Sequence, residues 1–95
     1  MKFINFSWDD FKNRSNIIKH GISFDEAKTA FYDDSAIDFY DNEHSESEER
    51  FLLLGMSYKP RLLVVCYSIK NDHSVIRIIS ARKATRNESK YYTGG

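Results

Sequence analysis

Ninety-five residues, with seven Phe, six Tyr and one Trp, are enough for one hydrophobic core and short for two, which predicts a single domain over residues 1–95. The lone cysteine, Cys66, excludes an intramolecular disulfide and suits a reducing compartment. No apolar stretch approaches the roughly 20 residues that cross a bilayer, and residues 1–8 lack the apolar centre of a signal peptide, so a soluble cytoplasmic protein without membrane contact is expected. Zero net charge conceals an asymmetry: residues 1–49 hold five Lys/Arg against twelve Asp/Glu, and residues 50–95 hold nine against two, so the later half suits a polyanion such as RNA, or an acidic partner segment.

Residues 2–7 alternate, with Phe3, Asn5 and Ser7 opposite Ile4 and Phe6, and predict a short strand. From Trp8 the spacing becomes three and four. Trp8, Phe11, Ser15 and Ile18, with neighbouring Ile17, make the apolar stripe of an expected amphipathic helix. Asp9 and Asp10 suit its N-terminus, Lys19 and His20 its C-terminus, and Gly21 the left-handed position beyond. Ser23 to Glu26 has the capping-box spacing, with Ile22 and Ala27 as a hydrophobic staple, and opens a second helix that buries Phe24, Ala27, Ala30 and Phe31 before the Asp33-Asp34-Ser35 turn.

Strand patterns follow at 36–40, 50–56, 61–69 and 74–80. An exposed acidic loop at 41–49 separates the first two, and hairpin connections are expected at 57–60 and 70–73. The continuous apolar runs 52–54 and 62–65 predict a sheet covered on both faces, one by the early helices and the other by the last helix or a partner. Thr85 to Glu88 is a second capping box, opening a basic helix through Tyr91 and Tyr92. Helices followed by a block of strands predict an α+β fold with an antiparallel sheet, in the order strand, helix, helix, four strands, helix.

Spacing excludes a glycine-rich phosphate loop, a Gly-x-Ser-x-Gly elbow and a cysteine zinc site; His20, His44 and His73 fall in separate segments, so no metal or other cofactor is expected. Cys66, flanked by Val64 and Val65, is expected to pack. Cations flank the apolar strands: Arg50 and Arg61 open two of them, Arg77 interrupts another, and Arg82 and Lys83 follow it. Strict alternation places Arg77 on one face with Val75 and Ile79, and Ser80 and Arg82 on the other, so a shared groove requires a bulge. Metal-free RNA cleavage needs a base for the ribose 2′-hydroxyl, an acid for the leaving oxygen and cations around the phosphorane. His20, Arg50, Arg77 and Arg82 are the catalytic candidates, and Lys19, Arg61, Ser80, Lys83 and Trp8 the substrate-binding ones. Each has a structural alternative. His20 suits a helix terminus, Arg50 an ion pair with Glu48 or Glu49, Arg77 a pair with Asp25 or Glu26, and Trp8 the core rather than a base stack. Tyr91 and Tyr92 could dock a partner.

The phrases Phe6-Ser7-Trp8-Asp9, residues 16–27 from Asn16-Ile17-Ile18-Lys19-His20-Gly21 onward, Glu48-Glu49-Arg50, Arg61-Leu62-Leu63-Val64-Val65 and residues 77–84 from Arg77-Ile78-Ile79-Ser80 onward together resemble the BrnT toxin family. The resemblance implies a type II toxin of RelE-like fold, a ribonuclease that arrests translation and growth. It also implies a BrnA-type antitoxin that binds the toxin directly, in a higher-order complex, and contacts operator DNA on its behalf. It makes His20, Arg50, Arg77, Ser80, Arg82 and Lys83 family-motif positions. Cys66 stands where such toxins commonly have an aliphatic residue, and the neutral net charge leaves room for ribosome-dependent capture of RNA. The competing expectation is a non-catalytic module that only grips a partner protein.

Overall fold

Asp9 and Gly21 bracket the first helix as their chemistry dictates. In this computed structural model, which describes residues 5–70 and 74–92, strand β1 (Asn5–Ser7) leads into helix α1 (Asp10–His20). Residues 2–4 of the expected first strand, the turn at 71–73 with His73, and the tail at 93–95 lie outside the described residues. The Asp9 carboxylate accepts the backbone N–H groups of Phe11 and Lys12, at 2.8 and 3.2 Å. Gly21, at φ 71°, closes the helix by donating its N–H to the Ile17 carbonyl.

Helix α2 (Phe24–Thr29) is capped by the Ser23 hydroxyl and continues into a 3-10 turn over Ala30–Tyr32. The expected reciprocal half of this capping box is absent. Glu26, only 2% exposed, accepts instead from Ser57 Oγ and from Arg61, because a guanidinium and a hydroxyl satisfy a buried carboxylate that one backbone N–H would leave half paired. Strands β2 (Ile37–Tyr40), β3 (Phe51–Met56), β4 (Leu62–Lys70) and β5 (Val75–Lys83) follow, then helix α3 (Arg86–Ser89). The Thr85/Glu88 capping box of α3 is complete. The helix is one turn long, shorter than expected, and single turns carry the chain on through Tyr91 and Tyr92.

The sheet order is β1-β5-β4-β3-β2. Strands β2 to β5 form the expected antiparallel meander, whereas β1 pairs parallel with β5, Phe6 opposite Ile76, so the sheet is mixed. Beyond β1, α1 borders the same edge of β5, and Asn16 takes over the role of a strand. Its side-chain amide donates to the Ala81 and Ile22 carbonyls, both at 2.8 Å, and its carbonyl oxygen accepts the Ala81 N–H at 3.1 Å. This corrects the reading of α1: Asn16 is its buried residue, while Phe11 and Ile18 are 73% and 87% exposed. A helix docked on a strand edge must meet backbone polar groups there, so an amide displaces the apolar stripe from the contact.

On one face of the sheet Phe24, Ala27 and Ala30 pack against Leu53, Leu63, Val65, Tyr67 and Ile78. Gly55 permits this approach, since a Cβ there would lie 2.8 Å from the Ala30 carbonyl oxygen. The other face carries Leu52, Leu54, Val64 and Cys66 and is covered only in part, where Tyr91, beyond α3, meets Phe39 edge-to-face at 5.9 Å.

Candidate active site

Cys66 pairs with Ser80, yet the next residue of β4, Tyr67, pairs with Ile78, which leaves Ile79 as an extra residue in β5. That bulge resets the alternation by one position. Arg77, Ser80 and Arg82 therefore share the face opposite α2, with Arg77 beside Ser68, Ser80 beside Cys66 and Arg82 beside Val64. Continuing the β3–β4 register one residue past Phe51 and Tyr67 brings Arg50 beside Ser68, and the Asp41 N–H donates to the Arg50 carbonyl at 2.9 Å. Asp41, Arg50, Ser68 and Arg77 thus form one row across the open face.

A cavity of about 250 Å³ sits on this face, lined by Asp41, Glu43, His44, Arg50, Leu52, Cys66, Ile79, Ser80 and Arg82. A 3-10 turn (Asn42–His44) delivers His44, whose Nδ1 lies 3.0 Å from Asp41 Oδ2; the imidazole is 62% exposed and the Asp41 side chain 7%. Ser45 clamps the turn, its hydroxyl donating to the Asp41 carbonyl and accepting the Arg50 N–H at 3.0 Å. Among the described residues Arg50 Nε and Ser68 Oγ are buried without a hydrogen-bond partner, while Arg50 forms the ion pair with Glu48 that the sequence offered as its structural role, Nε to Oε1 3.8 Å. Glu48 is itself engaged by Lys70.

Arg82 is held by Glu88, whose carboxyl is lowered to about 2, chiefly by that guanidinium. Burial pushes the Cys66 thiol up, and the neighbouring Asp41 carboxylate adds to the shift, so Cys66 packs as its apolar neighbours predict. An apolar cavity of about 360 Å³, lined by Phe39, Leu52, Leu54, Val64, Glu88 and Tyr91, lies on the same face. Among the described residues no three His, Cys, Asp or Glu side chains are grouped as metal ligands, and no helix is long and apolar enough to cross a membrane.

Residues 8–88 match the family model described as the ribonuclease toxin, BrnT, of type II toxin–antitoxin systems. The chain belongs to that family. Of the solved structures, the Brucella abortus ribonuclease toxin BrnT matches with a TM-score of 0.67 at 22% identity, over 87% of this chain and 99% of that one, which shows a common fold. Among curated proteins none matches this sequence. As a BrnT toxin the chain is a ribonuclease, with RNA as its substrate and an antitoxin as its partner.

Within this BrnT fold, the sequence-predicted residues divide into two groups. Arg50, Ser80 and Arg82 line the cavity, and Arg77 shares its face. The others lie elsewhere. His20 and Lys19 end α1, Lys83 alternates to the face opposite Arg82, and Trp8 is half-buried against Phe24 with ring centroids 6.0 Å apart. Arg61 is bound to Glu26 and to the Gly21 carbonyl. Sequence reasoning passed over His44 and Asp41, which sit in the loop read as merely acidic. The available signal was an Asp and a His three residues apart, where one helical turn lets them meet.

Proposed function

We propose that this toxin cleaves RNA without a metal ion, holding the scissile phosphodiester in the open-face cavity against Arg50, Ser80 and Arg82, with Arg77 on the same face of the sheet. The observation that carries this reading is the bulge at Ile79, which turns three separated basic or polar residues of β5 toward Arg50. The buried Arg50 Nε, which lines the cavity and has only the Glu48 carboxylate near it at 3.8 Å, supports it, because a donor without a hydrogen bond gains most from an incoming oxygen. Guanidinium groups here supply the charge stabilisation of the phosphorane that a metal supplies elsewhere. A BrnA-type antitoxin is the proposed neutralising partner, acting in the cytoplasm and alone contacting operator DNA.

The test is cleavage of an RNA oligonucleotide by purified toxin in EDTA. Activity should persist, and Arg50→Ala and Arg82→Ala should each lower the rate by about 10²-fold while the fold is retained. Full activity in both variants, or abolition by EDTA with restoration by a divalent cation, would refute the reading. Addition of the antitoxin encoded beside the toxin should suppress cleavage.

A further inference from the structure

We infer that His44, oriented by Asp41, is the general base that takes the proton of the ribose 2′-hydroxyl, an assignment that rests on the ribonuclease reading of this cavity. Five groups lining the cavity can exchange a proton: Asp41, Glu43, His44, Cys66 and Ser80. The Cys66 thiol is buried and pushed up, a serine hydroxyl is too weak a base unaided, and the Asp41 side chain is buried and already bonded to His44. Glu43 is exposed on the 3-10 turn, and no partner among the described residues fixes it there. His44 is both held and accessible, and imidazole is the side chain whose ordinary titration lies nearest neutrality.

The hydrogen bond also fixes which ring nitrogen acts. A carboxylate only accepts, so Nδ1 carries the proton donated to Asp41, and in the neutral ring the lone pair therefore lies on Nε2, which has no partner among the described residues. Asp41 is anchored in turn by its own N–H on the Arg50 carbonyl and by the Ser45 hydroxyl on its carbonyl. The base and the cation Arg50 are thereby tied to one strand end, as pre-organised catalysis requires.

In the step this implies, Nε2 takes the 2′-hydroxyl proton as the 2′-oxygen bonds to phosphorus, and the bond from phosphorus to the 5′-oxygen breaks. Arg50 and Arg82 bear on the phosphoryl oxygens. The departing 5′-oxygen takes a proton from water, and the imidazolium returns its proton to the resulting hydroxide. The products are a 2′,3′-cyclic phosphate and a 5′-hydroxyl, with no net consumption of water.

The experiment compares wild type, His44→Ala, His44→Gln and Asp41→Asn on a fluorogenic RNA oligonucleotide, with thermal melts as the control for folding. His44→Ala and His44→Gln should lose about 10²-fold or more in kcat with KM within about threefold, and free imidazole should restore part of the His44→Ala rate. Asp41→Asn should lower kcat by about tenfold through its positioning of the ring. Wild-type rates in both His44 variants would overturn this inference and leave the ribonuclease reading standing. A loss carried by KM, without imidazole rescue, would overturn it as well. A wild-type protein that cleaves no RNA would instead overturn the reading on which the inference rests.

Discussion

Arg82 donates to both carboxylate oxygens of Glu88, at 2.7 and 2.8 Å, so a cation of the open face is neutralised by a helix of its own chain. The same carboxylate accepts the Thr85 N–H at 2.8 Å, which makes Glu88 both the cap of α3 and the internal rival of an incoming phosphate. A phosphodiester must displace or share this pair to reach Arg82.

Glu88→Gln should therefore raise affinity for RNA at low salt by at least twofold while weakening the fold. The carboxyl is lowered from its ordinary 4.5 to about 2, so its contribution is complete above pH 4.5 and disappears as pH falls toward 2. With Arg82 40% exposed, screening reduces the contribution to about 1 kcal/mol. Melting curves across pH 2 to 6 check this: wild type should lose its advantage over the variant in that interval. An RNA affinity lowered by Glu88→Gln would mean that Glu88 positions Arg82 rather than competing for it.

What the sequence discloses here is what local chemistry determines. Asp9, Gly21, Ser23 and Thr85 act within a turn of their own position, and the helix ends they predict are the observed ones. Features that depend on distant pairing are not written locally. Glu26 looks like the second half of a capping box until Arg61 arrives from 35 residues away. The alternation of β5 shows that a bulge is required for Arg77 and Arg82 to share a face, but its position at Ile79 is set by the register with β4. Asp41 reads as loop until pairing with Arg50 draws it into the sheet. That pairing turns a surface histidine into part of a cavity.

Asn16 offers a test of the edge contact that governs α1. Asn16→Ala leaves the Ala81 N–H and the Ala81 and Ile22 carbonyls without their partner and should cost about 2 kcal/mol. For a domain of this size that is a fall in Tm on the order of 10 °C. Hydrogen exchange at the Ala81 amide should accelerate more than at the β3–β4 amides. Ile18→Ser, on the exposed side of the same helix, should change Tm by no more than about 2 °C.

Arg61, a substrate-binding candidate by sequence, makes three hydrogen bonds to Glu26 and the Gly21 carbonyl. Arg61→Met strands a carboxylate that is 2% exposed and should cost about 3 kcal/mol, with RNA affinity unchanged at a temperature where the variant is folded. Arg61 holds the Glu26 carboxyl below its ordinary 4.5, so the stabilisation is present above that pH and is lost as acid protonates the group; Arg61→Met should flatten the acid limb of the stability curve. A selective loss of RNA binding by the folded variant would return Arg61 to the substrate.

Cys66 borders the proposed base, its sulfur 4.0 Å from Asp41 Oδ2, and a thiol so placed invites the idea of a nucleophile. The physical chemistry runs the other way. Burial and the adjacent carboxylate both disfavour the thiolate, so the reactive form is scarce at neutral pH. Cys66→Ala should cleave RNA within about twofold of wild type and cost about 1 kcal/mol of stability, the cost of a small buried group. In the native protein Cys66 should react with a disulfide reagent at least about tenfold more slowly than in denaturant, where the burial is gone. Loss of cleavage in a folded Cys66→Ala, with rapid labelling of the wild-type thiol, would place the thiol in the reaction and remove the need for His44.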